Sequence, residues 1–412
     1  MIFAGSAFAN TATDHVSVAP NGKGDVLIFP VYFTGAGWET KLIVTNTSQT
    51  ESVVAKVIIR SKENSQELRD FLIFLSPSDV WTGTLYNNGT TTNIRSTDDS
   101  CLTTATTFAS ETAPFDVYLE SACPGDTNEI GYVTVIQGAS FDVAPNKPGV
   151  DKADILTEYN AWSVNANTPL NVLTGQEEIN NAVAGISYAL NATTLKNYDF
   201  NIGGAPMNTQ NETFLGDSAN NSYGEVEAAL AKDEIVVPYY AQNEGSVFGI
   251  FTFPTKFASS PTAADNCATR TTWNNQFAGF PSPQYVMTAY DLMENTVVPA
   301  AQFISPQPAG TTNTFTSEVS FLSVTDLPGT FDEGWLLIDG NNYTTNTITN
   351  SNIPFTYTGF PVVASSIRFN TAGNAGWLYD AYTKGTVDIN GAAGADTVED
   401  QNYQFWSVNG EL

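Results

Sequence analysis

Short runs of alternating hydrophobic and polar residues, rich in Val, Ile, Thr, Tyr and Phe, fill most of the chain. Clusters of Gly, Asn, Pro and Ser separate these runs. Alternation with a period of two puts successive side chains on opposite faces of a β-strand. The pattern therefore predicts an all-β fold, with two or three β-sandwich (Ig-like) domains and few short helices. The clearest predicted strands cover residues 26–33, 41–45, 53–60, 70–75, 80–85, 116–120, 132–137, 183–190, 234–240, 246–253, 319–324, 335–339 and 362–369.

One predicted strand, residues 53–60, has two chemically different faces. The first face is wholly apolar and the second mixes charged with apolar side chains: Val53, Ala55, Val57 and Ile59 against Val54, Lys56, Ile58 and Arg60. We predict that the first face is buried in a core and that the second is at least partly exposed to water.

Helical patterns are scarce. Ser222 and Glu225 form a capping-box pattern that opens a predicted helix over 226–232. A second short helix is predicted near 154–161.

Two segments share the same spacing of Asp, Pro and Tyr, one from Asp25 to Tyr32 and the other from Asp233 to Tyr240. The match indicates two related β halves. Chance is the alternative, because Pro at a strand edge next to Tyr is a common structural device.

Polar stretches that contain Pro and Gly, at 145–151 and 305–314, are candidate linkers. They divide the chain into a signal-peptide remnant with a mobile N-terminus (1–22), a β-sandwich domain (23–150) and a second β-rich domain with short helices (151–310). The last segment (311–412) is either a C-terminal acidic β domain or a continuation of the second domain.

The chain is strongly acidic, with 15 basic against 43 acidic residues and a net charge of −28. The acidic excess is concentrated toward the C-terminus, and this charge repels nucleic acids and anionic lipid surfaces. We therefore expect no nucleic-acid partner. The longest strongly apolar run, 71–75, is far below the roughly 18 residues of a membrane span, so no membrane span is expected either.

The N-terminal segment and the cysteines indicate export. Ala7-Phe8-Ala9 has the small-x-small form of a signal-peptidase site, and Met1 is interpreted as an internal start. Cys101 and Cys123 suit one disulfide bond in an oxidising compartment. Cys267 could pair with either of them, link two molecules or stay free.

The residues needed for common kinds of catalysis are missing. His15 is the single histidine, which argues against Ser-His-Asp, Cys-His and zinc hydrolases. No phosphate-binding glycine loop follows a strand. Paired carboxylates could still hydrolyse glycosides, but any acidic chain brings some carboxylates together by accident. We predict that the protein is not an enzyme.

Calcium is the most plausible ligand, because it binds carboxylate, amide and main-chain oxygens presented by turns. The candidate clusters are Asp98 with Asp99, Asp339 with Asn341, and Asp388, Asn390, Asp396 and Glu399. The last cluster lacks the residue pattern of an EF-hand. At any single cluster, Asp and Asn residues that only stabilise β-turns are the alternative.

Three Trp residues, Trp38, Trp335 and Trp377, each follow a Gly. Their rings could form a platform for carbohydrate. The alternative, which we favour, is that they pack at the start of a strand and close the end of a sandwich.

Four blocks carry a resemblance to a known group: 24–32, 54–60, 71–81 and 253–256. They resemble secreted proteobacterial proteins, some of which are similar to surface-layer (S-layer) proteins of marine gammaproteobacteria. The resemblance implies a location on the extracellular surface of a Gram-negative bacterium and calcium-dependent assembly into a lattice. It implies no catalytic or binding residue.

Composition agrees with this expectation, because low pI, little His, Cys and Met, and abundant Thr, Asn and Gly are typical of surface-layer proteins. We therefore predict a structural protein that self-assembles, with calcium bridging acidic edges and cell-envelope glycan or lipopolysaccharide as further partners. Exposed strand edges such as 26–33 could supply the contacts. The alternatives are a monomeric adhesin or carbohydrate-binding protein and, third, an exported carboxylate glycosidase.

Overall fold

The fold comes from a computed structural model. It describes residues 16–62, 66–98, 100–103, 115–120, 128–142, 170–198, 215, 223–240, 245–255, 285–297, 304–305, 315, 317–323, 333–339, 346–350, 353–357, 359–370, 378–380, 382–384 and 387–388. Nearly all of these residues lie in antiparallel sheets, which confirms the predicted all-β fold.

The first thirteen strands of the described residues form one β-sandwich. They are β1 (Ser17–Val18), β2 (Val26–Phe33), β3 (Trp38–Asn46), β4 (Glu51–Ser61), β5 (Glu67–Leu75), β6 (Val80–Asn87), β7 (Thr92–Ser96), β8 (Cys101–Thr103), β9 (Phe115–Tyr118), β10 (Ile130–Asp142), β11 (Leu173–Asn181), β12 (Ile186–Asn191) and β13 (Thr193–Lys196). Sheet A has the order β1-β13-β2-β10-β4-β5-β8, and sheet B has the order β12-β11-β3-β6-β7-β9.

The apolar faces of sheets A and B pack together as the core of the first sandwich. Phe29 and Phe71 from sheet A meet Leu42 and Trp81 from sheet B, and all four are 0% exposed. The Phe71 and Trp81 rings lie 5.6 Å apart. The alternation in these strands thus explains the core directly.

The first sandwich extends past residue 150, where the sequence places the start of a second domain. β11 pairs with β3, and β13 pairs with β2, so residues 173–196 complete both sheets. The sequence pattern does not show β11, because Gly175, Glu177 and Asn181 occupy buried positions that normally hold apolar residues. The two predicted linkers and the predicted helix over 154–161 lie outside the described residues, except for Ser305.

Strands of the later described residues form a second sandwich of two five-stranded sheets, and also a separate two-stranded and a separate three-stranded sheet. They are β14 (Ala231–Lys232), β15 (Glu234–Tyr240), β16 (Gly245–Thr252), β17 (Val286–Asp291), β18 (Thr296–Val297), β19 (Ile304–Ser305), β20 (Val319–Ser323), β21 (Glu333–Asp339), β22 (Asn346–Asn350), β23 (Ile353–Tyr357), β24 (Phe360–Pro361), β25 (Val363–Asn370), β26 (Leu378–Asp380), β27 (Tyr382–Lys384) and β28 (Val387–Asp388). Sheet C has the order β18-β17-β21-β15-β27 and sheet D the order β19-β20-β16-β25-β26. Their core includes Val237, Phe251 and Phe315.

The two sandwiches share one strand plan. Part of sheet A, β13-β2-β10-β4-β5, matches sheet C, β27-β15-β21-β17-β18. Part of sheet B, β12-β11-β3-β6, matches β26-β25-β16-β20 in sheet D. Asp25 and Asp233 directly precede the equivalent strands β2 and β15. The predicted relation between the two halves is therefore confirmed at the level of topology.

The helix α1 (Tyr223–Leu230) covers the outer face of sheet A. Val226 and Leu230 pack against sheet A residues that include Ile58 and Leu72. The second face of β4 is accordingly buried, with Lys56 at 0% and Arg60 at 1% exposure. The prediction that this face is partly wet is wrong, because residues far away in sequence, from α1 and from β25, pack with it in one apolar cluster. The helix ends two residues earlier than predicted, since 231–232 form β14.

A further apolar cluster joins the two sandwiches. Val31 and Tyr132 of the first sandwich share it with Ile250, Val319 and Ile367 of the second. The Thr252 hydroxyl donates a hydrogen bond of 2.5 Å to the Pro30 carbonyl. The proposed open edge at 26–33 is wrong, because β2 is an inner strand that pairs with β10 on one side and β13 on the other.

Candidate functional site

The predicted calcium ligands are spread over different sheets. Asp98 follows β7 and forms a local turn, in which its Oδ1 accepts a 2.8 Å hydrogen bond from the Ser100 N–H. Asp339 ends β21 in sheet C, and Asp388 ends β28. The geometry at Asp98 is that of the turn-stabilising alternative.

The remaining predicted site residues fall outside the description. Asp99, Asn341, Asn390, Asp396, Glu399 and Cys123 lie outside the described residues, as do the side chains of Asp388 and Cys101. Among the residues that the structure describes, no group of three or more His, Cys, Asp or Glu side chains is placed to hold a metal ion. The calcium and disulfide assignments therefore stay predictions.

Two of the three Trp residues considered for a carbohydrate platform can be placed. Trp38 packs against Phe33 at 6.0 Å and Tyr188 at 6.2 Å, beside the junction of the two sandwiches. Trp335 lies on the outer face of sheet C and stacks on Tyr290 at 4.6 Å with an interplanar angle of 3°. Each stacked ring uses one face on the other, so this pair stabilises neighbouring strands. Trp377 lies outside the described residues.

The outer face of sheet B is polar, and contacts between charged and aromatic side chains hold it in place. Arg95 contacts Glu39 at 3.2 Å and lies 4.3 Å from the centre of the Tyr86 ring. The Tyr86 hydroxyl donates a 2.8 Å hydrogen bond to Asp116. Tyr118, on the edge strand β9, is 55% exposed on the same face. Contacts of this kind fix the positions of exposed polar side chains, as a specific surface contact requires.

The outer face of sheet A holds a group of charges that we call the Lys56 cluster. Lys56 and Arg60 are buried, and Glu67 and Asp70 are partly buried. Lys56 Nζ lies 2.8 Å from Asp70 Oδ2, with 0% and 12% of the two side chains exposed. Arg60 and Glu67 lie opposite each other on β4 and β5. Buried charges are costly unless they are paired, so this cluster is either a structural network or a site of chemistry.

Burial dominates the electrostatics of the Lys56 cluster. It raises the pKa of the Asp70 carboxyl above its usual range, while the positive charges of Lys56 and Arg60 oppose that rise. Burial also raises the pKa of Glu67, and the nearby Asp70 charge adds to the effect. Both carboxyl groups therefore hold a proton more readily than in water.

The second sandwich has no counterpart of the Lys56 cluster at the two equivalent β4 positions. Gly131 pairs with Ser61, and Gly334 pairs with Asp291 in the equivalent strands. The register therefore places Val286 at the position of Lys56 and Tyr290 at that of Arg60. The strand plan does not require these charges, so they are particular to the first sandwich.

A second buried carboxylate, Asp25, ties three segments of the first sandwich together. Its side chain accepts hydrogen bonds from the Asn171 N–H at 2.7 Å and from the Tyr198 N–H at 3.3 Å. Asn171 and Asn197 have positive φ angles of 54° and 63° and bond to each other. Burial raises the pKa of Asp25 to about 7. We interpret Asp25 as a structural anchor.

The alternating pattern places Lys56 and Arg60 on one face of a strand but does not indicate that this face is buried. The missing information is the position of α1, which comes from a segment more than a hundred residues away. Asp70 and Glu67 carry no spacing that marks them as partners. Two sequence features relate to the cluster: the basic residues on one face of strand 53–60 and the capping-box helix predicted over 226–232.

No protein-family model matches the chain, and a search of curated proteins finds no similar sequence. Within the described residues, no helix has the length and hydrophobicity needed to cross a membrane.

Proposed function

We propose that the protein is a structural cell-surface protein that self-assembles into an extracellular array, similar in role to a surface layer. Export to the outer surface of a Gram-negative bacterium, calcium assistance and attachment to cell-envelope glycan or lipopolysaccharide belong to the same proposal. Function then resides in lateral contacts between copies.

The observation that supports the proposal best is the pair of strands that end the two sheets of the first sandwich in the described part of the chain. β8 ends sheet A and β9 ends sheet B, so within the described residues each has a strand neighbour on one side only. The exposed β9 residue Tyr118 lies on the same face of sheet B as Arg95 and Asp116, whose contacts hold the polar side chains of that face in place. A strand edge beside a fixed polar surface suits repeated contact with another copy. Contact of this edge with a different surface of the next copy, through a rotation that does not close, would generate an open array.

The charge of the chain supports a role for calcium. Copies that each carry a net charge of −28 repel one another when packed side by side. Divalent cations shared between acidic surfaces would relieve that repulsion. Asp339 in sheet C, Asp388 in the three-stranded sheet β22-β23-β28 and Asp98 after β7 remain the proposed ligands.

A monomeric adhesin or carbohydrate-binding protein is the alternative. It would need aromatic faces open to a sugar ring, whereas Trp38 is packed at the junction and Trp335 is stacked on Tyr290. This arrangement gives the alternative less support than self-assembly. A glycan array on the purified protein tests it directly.

Sedimentation velocity with and without millimolar calcium tests the proposed edge. The wild-type chain is expected to form larger species in calcium. Tyr118→Lys, on β9, should reduce them strongly. Val183→Lys is the matched control, since Val183 is 90% exposed in the β11–β12 turn and receives the same charge. Equal loss in both variants would contradict the edge, and a monomer under every condition would contradict self-assembly.

A further inference from the structure

The Lys56–Asp70 pair is an amine and a carboxyl group held in contact, with the amine fully buried and the carboxyl group largely buried. Nζ lies 2.8 Å from Oδ2, and the two side chains share the outer face of neighbouring strands. Ile58 and Leu72 belong to the same face, and α1 covers it with Val226. The pair is thus fixed by backbone pairing as well as by its own attraction.

Such a pair is placed to condense into an amide. In water, charged amine and carboxylate groups are favoured over the amide because both ions are hydrated. Burial removes that hydration and favours uncharged forms. Holding the two groups in contact also replaces a slow bimolecular encounter with an intramolecular step. Here the buried product is neutral, which removes the desolvation penalty of two charges.

We propose that Lys56 and Asp70 form an intramolecular isopeptide bond between β4 and β5. The ammonium first gives up a proton, and the Nζ lone pair attacks Cγ of the protonated Asp70 carboxyl. The Nζ–Cγ bond forms, one Cγ–O bond breaks, and the oxygen leaves as water with the displaced protons. One ammonium and one carboxylate thereby become one amide and one water molecule, with no change in net charge and no oxidant.

Glu67 is the group that moves the proton in this reaction. It lies on the same strand and face as Asp70, and its carboxyl interacts electrostatically with both Asp70 and Lys56. A buried carboxyl with a raised pKa can accept the ammonium proton and return it to the leaving oxygen. Arg60, opposite Glu67, balances its charge while it is ionised.

The chain contains its own comparison pair. Lys41 and Glu178 also join neighbouring strands, with Nζ 3.6 Å from Oε2, but 40% and 37% of these side chains are exposed. Water hydrates both ions there, so we expect no condensation. Because the two pairs have the same functional groups, burial and contact are the features that differ.

Intact-mass spectrometry of the reduced, denatured chain tests the proposal. The expected mass is lower than that of the sequence by one water molecule. Trypsin should then give a branched peptide in which residues 42–60 are joined to residues 70–95, since a condensed Lys56 is not cleaved. Lys56→Arg should restore the full mass, and Glu67→Gln should restore all or most of it. Lys41→Arg should leave the deficit unchanged.

A wild-type mass equal to that of the sequence, with Lys56 cleaved normally, would overturn the proposal and leave an ordinary buried ion pair. A deficit located at another peptide would overturn it equally. The wild-type result does not depend on the folding of any variant. The outcome is also independent of self-assembly, so either proposal can fail alone.

Discussion

Gly131 and Gly334 occupy equivalent positions in the two sandwiches, and at each of them a carbonyl oxygen of the neighbouring strand leaves no room for a side chain. A Cβ on Gly131 would lie 2.0 Å from the Arg60 carbonyl oxygen, and one on Gly334 would lie 1.8 Å from the Tyr290 carbonyl oxygen. Each glycine is the second residue of its strand, β10 or β21, which pairs with β4 or β17. The two sandwiches thus share not only their strand order but also a close contact between two paired backbones at this position.

Alanine at either glycine should therefore destabilise the sandwich that contains it. A methyl group there must push two paired backbones apart, which we expect to cost about 3 kcal/mol. Chemical denaturation monitored by tryptophan fluorescence measures the loss. Gly185→Ala is the control, because a Cβ there meets nothing within 4 Å and only the positive φ of 68° opposes it. The control should cost about 1 kcal/mol, and an equal cost at all three positions would contradict the close approach.

Asp25 should make the protein more stable in mild acid than at neutral pH. Its folded-state pKa is about 7 against 3.8 for the unfolded chain, so the folded state binds the proton more tightly between these values. Stability from this group is full below about pH 4 and is lost as the pH rises to 7, by up to about 4 kcal/mol. The raised pKa of Glu67 acts in the same direction.

Denaturation of wild type and Asp25→Asn from pH 4 to pH 8 measures this dependence. The variant should be less stable overall, since an amide cannot accept both backbone hydrogen bonds, and its stability should vary less with pH. Asp291→Asn is the control: Asp291 is exposed on a hairpin and its pKa is lowered, mainly by Asn295. An unchanged pH slope in Asp25→Asn would show that Asp25 is ionised in the folded protein.

Much of the fold can be predicted from the sequence, because the strands are determined by residues close to one another along the chain. Strands β2 and β15 match their predicted bounds, because alternation and flanking turn residues act within a few positions. The repeated Asp-Pro-Tyr spacing marks equivalent strands. The run 183–190, in contrast, is strand only from Ile186, since residues 182–185 form the turn after β11.

The features that the sequence does not reveal depend on distant segments. Glu177 is an acidic residue at a buried position, so the alternating pattern that would predict β11 is interrupted. The mixed face of β4 is buried because α1, from a distant segment, packs on it. The Lys56 cluster lies on that surface of β4 and β5. Of the candidate calcium residues, Asp98 and Asp339 fall in different sandwiches, a separation that spacing along the chain cannot indicate.

Folding and assembly should depend on different residues. Trp81 is fully buried against Phe71, so Trp81→Ala should cost about 3–5 kcal/mol through the cavity it leaves. Asp388→Ala should leave the stability of the monomer unchanged but weaken calcium-dependent association. Thermal unfolding and light scattering separate the two effects. Equal destabilisation of the fold by both substitutions would count against this division.

The central claim is calcium-assisted self-assembly, and negative-stain electron microscopy of the purified protein tests it most directly. Samples are compared with millimolar calcium, with magnesium at the same concentration and with a chelator. The account predicts ordered sheets or fibres in calcium and dispersed particles in chelator. Dispersed monomers under all three conditions would contradict it and shift attention to adhesion or carbohydrate binding.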